Sequence, residues 1–481
     1  MINYRVIAYL LGFLVLIEGA FILICAPVSA YYGEKDFGSI ILSGIITVIV
    51  GLIAFLANRN TEKTVGKRDG YIIVSLAWIV FSLFGSLPFV LSGHIPSFTD
   101  AFFETMSGFT TTGASILNDI ESLSHGMLFW RSLTQWLGGM GIIVMSIAIL
   151  PLLGIGGMQL FVAEVPGPTP DKLHPRIKET AQKLWGIYII YTCAEIILLM
   201  FGGMNIFDAI CHAFTTMATG GYSTYQASLI GQSPYIQYVV TIFMFLAGMN
   251  FTLSYFALHL DFKKVWQNEE FRSYLFFTLG FALIISLGLY VNDQRSYENC
   301  FRDSVFQVVS ILTTTGYATA NYETWPHLML MLIFVIMFFG GSAGSTGGGI
   351  KIMRIVLLIK NGFFELKRLV HPNAVIPVRF NNQGVSPQIL SNVLAFVMFY
   401  IFIIVIGIII MAAMNYDIES SFGAVAATLG NIGPGIGAVG PLDNYAHIPV
   451  FGKWFLSFLM MIGRLEIFTV FILFSPNFWK N

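Results

Sequence analysis

The sequence predicts an all-α polytopic membrane protein with ten transmembrane helices. Two lie at the N-terminus, and four copies of a span, re-entrant segment, span unit follow around a single axis. Three observations predict this. Of the 481 residues, 56% are hydrophobic and only 11% charged, with mean hydropathy +0.76. Apolar runs near the ~20 residues needed to cross a bilayer recur along the whole chain. One polar pattern ending in glycine comes back four times between those runs. A large soluble protein would need a charged solvent-facing stripe on most of its helices, and these runs lack one.

From the N-terminus, "MINYRVIAYLLGFLVLIEGAFILICAPVSA" has an apolar run longer than a signal-peptide core, and a second span follows at once, so it reads as a retained helix. The expected spans are residues 6–28, 38–57, 71–92, 128–154, 184–203, 236–258, 273–291, 328–360, 391–413 and 451–474. They divide the chain into a two-helix unit (1–66) and four repeats at 67–165, 166–268, 269–372 and 373–481. Lysine and arginine set the orientation. Arg59, Lys63, Lys67, Arg68, Lys172, Arg176, Lys178, Lys183, Lys263, Lys264, Arg272, Lys367, Arg368 and Arg379 all fall in connections on one side, expected to be cytoplasmic together with both termini. The long segments on the other side hold only Arg295 and Arg302 as bases, beside acids that include Asp100, Glu104, Asp208, Asp303, Asp417 and Glu419. The missing bases satisfy the topology rule; the acids would in addition concentrate cations outside. A net charge of −1 gives no reason to expect nucleic acid as a partner. Cys25, Cys193, Cys211 and Cys300 have no paired spacing, and the eight histidines are scattered.

The outer segments are copies of one another. They read "DAFFETMSGFTTTGAS" (100–115), "DAICHAFTTMATGGYS" (208–223), "DSVFQVVSILTTTGYA" (303–318) and, more weakly, "SSFGAVAATLGNIGPG" (420–435). Gly113, Gly221, Gly316 and Gly433 fall at one aligned position. Each segment is expected to dip as a short amphipathic helix and return as extended chain, which membranes tolerate only where it is buried in protein or lines water. Four returns around one axis would line one pore. The negative helix ends would face a cation there, and carbonyl and threonine oxygens would replace its water. The residues expected to do so are Thr111, Thr112, Gly113, Thr219, Gly220, Gly221, Thr314, Thr315, Gly316, Asn431, Ile432 and Gly433. The second copy has Gly220 where others have threonine, and the fourth has "GNIG", so ligation in those quarters must rest on backbone carbonyls.

The inner spans align on "WLGGMG" (136–141), "FLAGMN" (245–250), "FFGGSA" (338–343) and "MMIGRL" (460–465), with Gly139, Gly248, Gly341 and Gly463 in register. The third of them is interrupted by "GGSAGSTGGGIK" (340–351), which is no phosphate loop because it lacks GxxxxGK[ST] and no strand precedes it. Gly340, Gly341, Ser342, Ala343, Gly344, Ser345, Thr346, Gly347, Gly348 and Gly349 are therefore expected to form a deformable gate below the returns. A simple kink needs only one or two small residues. Arg464 lies mid-span at the same depth, where a charge needs water or a partner. It either faces the pore as part of the gate or pairs with Glu466 or Glu195.

This fourfold plan, the broken third inner helix and Arg464 resemble the Trk/Ktr/HKT superfamily of potassium transporters, and the two extra spans over 6–57 resemble its TrkH branch more than the shorter KtrB. The resemblance covers essentially the whole chain. It implies a homodimer with one pore per subunit, permeable to K⁺ and less sharply selective than channels with a full TVGYG filter. It also implies a bacterial inner-membrane location and a TrkA-like cytosolic ring docking on the basic inner face. NAD or ATP/ADP would bind that regulatory partner, and K⁺ is the permeant ion, with no cofactor on this chain. The expected function is K⁺ uptake driven inward by the membrane potential, worth ~2.3 kcal/mol per charge per 100 mV. An ion-coupled (H⁺ or Na⁺) K⁺ symporter, with Glu195 or Glu466 relaying a proton, is the alternative. An enzyme is not expected, since no nucleophile, metal cluster or acid pair stands at useful spacing.

Overall fold

The computed structural model describes residues 2–61, 65–144, 177–292, 295–374 and 376–480, with the side chains of 142–144 and 177–179 excepted. Nearly every described element is a helix. Two long ones, α1 (Tyr4–Tyr31) and α2 (Phe37–Ala57), lead the chain. They approach almost backbone to backbone: a Cβ on Gly51 would lie 2.6 Å from the nitrogen of Leu16, and one on Gly12 2.7 Å from that of Phe55. Small residues at the crossing give close packing where lipid supplies no hydrophobic drive between helices. Of this pair, α1 leans on α3 (Lys67–Gly85) and also touches α6 (His125–Val144).

The remaining helices follow in chain order along the four expected stretches. In the first, α3 and α4 (Leu87–Ser92) precede the short α5 (Phe98–Phe109), and α6 follows. The second holds α7 (Ile177–Phe201), α8 (Ile206–Met217), α9 (Pro234–Gly248) and α10 (Phe251–Leu258). After α11 (Phe262–Gln267), the third has α12 (Glu269–Asn292), α13 (Tyr297–Leu312), α14 (His327–Ile336) and α15 (Ile352–Val370). A two-stranded hairpin, Arg379–Phe380 with Gln383–Gly384, leads to α16 (Pro387–Ala412), α17 (Ile418–Leu429), α18 (Val450–Leu465) and α19 (Ile467–Phe471).

The four short helices α5, α8, α13 and α17 start alike. Ser97, Asn205, Ser296 and Asp417 each accept a backbone N–H from the first turn, and each helix carries an acid there. Both features stabilise a helix N-terminus. The third copy differs from the sequence alignment: α13 starts at Tyr297, so Asp303 lies mid-helix and takes Arg295 at 3.0 Å instead of capping.

Two of the expected spans differ in shape from the expectation. Among the described residues six helices are long and apolar enough to cross a membrane, or eight when two bent pairs each count as one. Those pairs, α9 with α10 and α18 with α19, bend by 114° and 115°, so the spans expected at 236–258 and 451–474 are not straight. Breaking is thus not confined to the third inner span. Asn250 supplies the cap of α10, its Oδ1 accepting the N–H of Thr252 at 2.8 Å, and Glu466 turns the chain with φ of 61°. The expected extension of the fourth span to residue 154, Lys63, Lys172 and Arg176, and the boundary between the first two repeats at 165/166 lie outside the described residues.

Candidate cation pathway

Each short helix ends in the same backbone switch. Thr111, Thr219, Thr314 and Asn431 have φ of 52°, 52°, 60° and 54°, and two residues later Gly113, Gly221, Gly316 and Gly433 have φ of 84°, 72°, 86° and 97°. L-residues rarely adopt such angles, so their recurrence at two aligned positions in four segments marks one shared conformation.

These glycines also meet in a ring. A Cβ on Gly113 would lie 2.2 Å from the carbonyl oxygen of Gly220, one on Gly221 1.9 Å from that of Thr315, one on Gly316 2.0 Å from that of Ile432, and one on Gly433 2.6 Å from that of Thr112. Each segment thus faces the middle carbonyl of the next, and the fourth closes on the first. All twelve residues expected at this site are brought together, and Gly113, Gly221, Gly316 and Gly433 line one outward depression with Tyr225, Gln226 and Asp443.

The side chains around the ring brace it. Thr112 Oγ1 pairs with Thr110 Oγ1 at 2.8 Å and accepts Asn431 Nδ2 at 2.9 Å; Thr315 pairs with Thr313 at 2.8 Å. Asn431 Nδ2 also donates to the Met460 carbonyl at 2.9 Å. Sequence reading missed several supports. Tyr445 donates to the Gly433 carbonyl at 2.7 Å, Tyr322 to that of Gly435 at 2.6 Å, and Ser310 to that of Tyr317 at 2.7 Å. Glu104 was read only as an outer acid, yet it is buried, takes Arg131 Nε at 2.7 Å and accepts the Ile116 N–H at 2.9 Å. Arg131 continues to the Ser223 carbonyl at 2.9 Å, tying the first return to the second. One signal was available: Glu104, His212 and Gln307 occupy one aligned position, four residues after Asp100, Asp208 and Asp303. Each reaches its own returning segment, His212 through Ser223 Oγ at 3.0 Å and Gln307 through the Ala320 carbonyl at 3.3 Å.

Residues 340–349 sit beneath the ring. Gly340 N–H donates to Ile350 O at 2.8 Å and Ile350 N–H to Phe338 O at 3.3 Å, so the chain leaves the span, turns and returns to where it left. A kink would continue in one direction; this is a pinched loop. Thr346 Oγ1 donates to Met217 O at 3.1 Å, Thr219 Oγ1 donates to Thr346 Oγ1 at 3.2 Å, and Gly348 N–H donates to Thr314 Oγ1 at 2.7 Å. A Cβ on Gly348 would lie 2.5 Å from Gly430 O, so glycine is needed for this approach to the fourth segment. The loop also explains the bend of the second inner span: Ser342 N–H bonds Gly248 O at 2.8 Å, and Phe251 N–H bonds Gly344 O at 3.2 Å.

Arg464 is 5% exposed and donates from Nη1 to Thr346 O at 2.5 Å and from Nη2 to Gly138 O at 3.3 Å. The pairing expected as its alternative is not formed: Glu466 takes Arg354 at 2.5 Å, and the buried Glu195 makes no ion pair with Arg464. Lys351 Nζ donates to Gly347 O. Two cationic side chains therefore hold adjacent loop carbonyls.

The TrkH family, described as cation transport protein, matches residues 38–481. The chain is 41% identical over 485 residues to the Trk system potassium uptake protein TrkH of Salmonella typhimurium, and 41% over 487 residues to that of Escherichia coli strain K12, with all of each chain covered. It is 35% identical over 483 residues to the Trk system potassium uptake protein TrkG of the same E. coli strain, covering all of this chain and 99% of the relative. The crystal structure of the potassium transporter TrkH from Vibrio parahaemolyticus superposes with TM-score 0.90 at 37% identity, covering both chains in full. With the family matched over nearly its whole length and the fold reproduced end to end, the chain belongs to the TrkH family of cation transport proteins.

Proposed function

We propose that this chain is a K⁺ uptake protein of a bacterial inner membrane, in which the four-glycine ring is the selectivity filter and residues 340–349 with Arg464 are the gate. The observation that carries the reading is the closed cycle of contacts Gly113–Gly220, Gly221–Thr315, Gly316–Ile432 and Gly433–Thr112. Four backbone segments packed this closely present carbonyl oxygens to a common axis, and hard oxygen ligands of that kind replace the hydration shell of K⁺. The relatives' names, potassium uptake protein and potassium transporter, support the choice of ion.

The loop below supports the gating role. It lies across the inner side of the second, third and fourth returns, joined to them by hydrogen bonds and glycine contacts that a displaced loop would lose. Guanidinium and ammonium groups at its carbonyls favour a state without a cation there, by like-charge repulsion. The chain is further proposed to dimerise, with one path per subunit, to keep both termini cytosolic, and to answer a cytosolic nucleotide-binding ring through α15. An H⁺- or Na⁺-coupled symport is not favoured.

Purified protein in liposomes, compared in gradients of K⁺, Na⁺ and choline, tests the reading. K⁺ flux well above choline flux is expected. Equal leak of all three, or none of any, would overturn it.

A further inference from the structure

Gln135 projects from α6 into the second returning segment, which is not the one its own repeat supplies. Its Nε2 donates to the Gly220 carbonyl at 2.7 Å, and its Oε1 accepts the Tyr222 N–H at 3.0 Å. One fully buried amide thus bridges the peptide groups on either side of Gly221. The missing side chain at residue 220 makes room for it: a Cβ there would lie 2.4 Å from both Cδ and Oε1 of Gln135. The other three segments carry Thr112, Thr315 and Ile432 at this position. Met244, Met337 and Leu459, which align with Gln135 on the other inner helices, are buried and cannot donate.

The four carbonyls facing neighbouring glycines are those of Thr112, Gly220, Thr315 and Ile432. Among the described residues, only that of Gly220 accepts a side-chain hydrogen bond. The bond falls where the ring is most free to move, since Gly220–Gly221 is a pair of glycines without side chains to anchor it. A carbonyl has two lone pairs, so one can hold the amide proton while the other faces an ion.

We propose that Gln135 is a specificity-determining residue: by clamping the Gly220 carbonyl it keeps the second quarter of the ring from closing on a cation smaller than K⁺. This rests on reading the four-glycine ring as the selectivity filter. A ring that keeps its size leaves Na⁺ under-coordinated, whereas one whose carbonyl follows the ion does not. Pulling the carbonyl inward would leave a buried amide donor unpaired, and that cost resists the movement.

The test compares wild type, Gln135→Met and Gln135→Leu, purified and recorded in planar bilayers under K⁺/Na⁺ bi-ionic conditions. Both substitutions remove the donor to Gly220 and the acceptor for Tyr222 without adding a titratable group, and methionine also keeps the length of the side chain. Both variants are expected to pass K⁺ with a Na⁺-to-K⁺ permeability ratio raised about fivefold, the factor that one net hydrogen bond supports. An unchanged ratio in either conducting variant overturns the clamp. If neither variant yields a conducting protein, Gln135 is a structural brace and its role in ion discrimination is equally overturned. Absence of K⁺ current in wild type would instead remove the filter reading on which the clamp stands.

Discussion

Arg464 and Thr346, 118 residues apart, are joined by a 2.5 Å hydrogen bond from the guanidinium Nη1 to the carbonyl oxygen. The same guanidinium reaches Gly138 in the first inner helix, so one side chain ties the fourth inner helix to the loop and to the neighbouring first inner helix. A charged donor to a buried carbonyl is worth more than a neutral one, ~1.5–3 kcal/mol. Arg464→Ala removes both the tether and the positive charge below the ring. K⁺ flux in liposomes is expected to rise, by up to about tenfold if the loop loses ~1.4 kcal/mol of closing free energy. A drop in folded protein with no gain in flux would reassign Arg464 to fold stability.

The ring glycines are the second point of attack. Any L side chain at Gly113 or Gly316 meets a carbonyl 2.2 or 2.0 Å away and must also adopt a φ above 80°. Gly113→Asp and Gly316→Asp are expected to abolish K⁺ flux or change its ion preference, while the detergent-purified protein keeps its helical circular dichroism. Wild-type flux and selectivity in both variants would take these glycines out of the path.

The Glu104–Arg131 pair is buried, with side chains 0% and 3% exposed, and lies behind the first two returns. Removing one partner of such a pair leaves an uncompensated charge at a cost of ~3–5 kcal/mol, whereas replacing both by apolar residues of similar volume is often close to neutral. Arg131→Met alone should therefore lower the thermal unfolding midpoint in detergent by more than the double variant Glu104→Leu/Arg131→Met does. If the double variant is the worse of the two, the pair holds the fold by its own attraction.

The four recurring segments and their aligned glycines were legible because they form a local pattern that recurs in register, and the loop because it interrupts that pattern. Gly113, Gly221, Gly316 and Gly433 could be aligned without knowing where they meet. What sequence did not show is contact between repeats: Gln135 serving the return after α8, Tyr445 serving Gly433 from a later segment, and Arg354 taking Glu466 from Arg464. Those partners are set by packing, and nothing in spacing encodes them. The bends after Gly248 and at Glu466 were hidden for a related reason, since "FLAGMN" and "MMIGRL" are apolar enough to read as continuous helix. At the first bend the displaced loop supplies the hydrogen bonds that the helix gives up.

The loop itself carries the last prediction. Its base is pinched between Phe338, Gly340 and Ile350, so removing residues 344–347 leaves the bonds that hold α14 and α15 together. It deletes Thr346 and Gly347, whose carbonyls are the acceptors of Arg464 and Lys351. The deleted protein is expected to purify folded and to pass K⁺ at a raised rate that no longer responds to the proposed regulatory partner. A partner opens a gate only by binding the open state more tightly, and without a gate there is no equilibrium for it to shift. Flux into liposomes with and without the proposed regulatory partner measures this directly. A folded deletion protein that still needs the regulator, or stays silent, would leave residues 340–349 as a structural joint between the third inner helix and its neighbours.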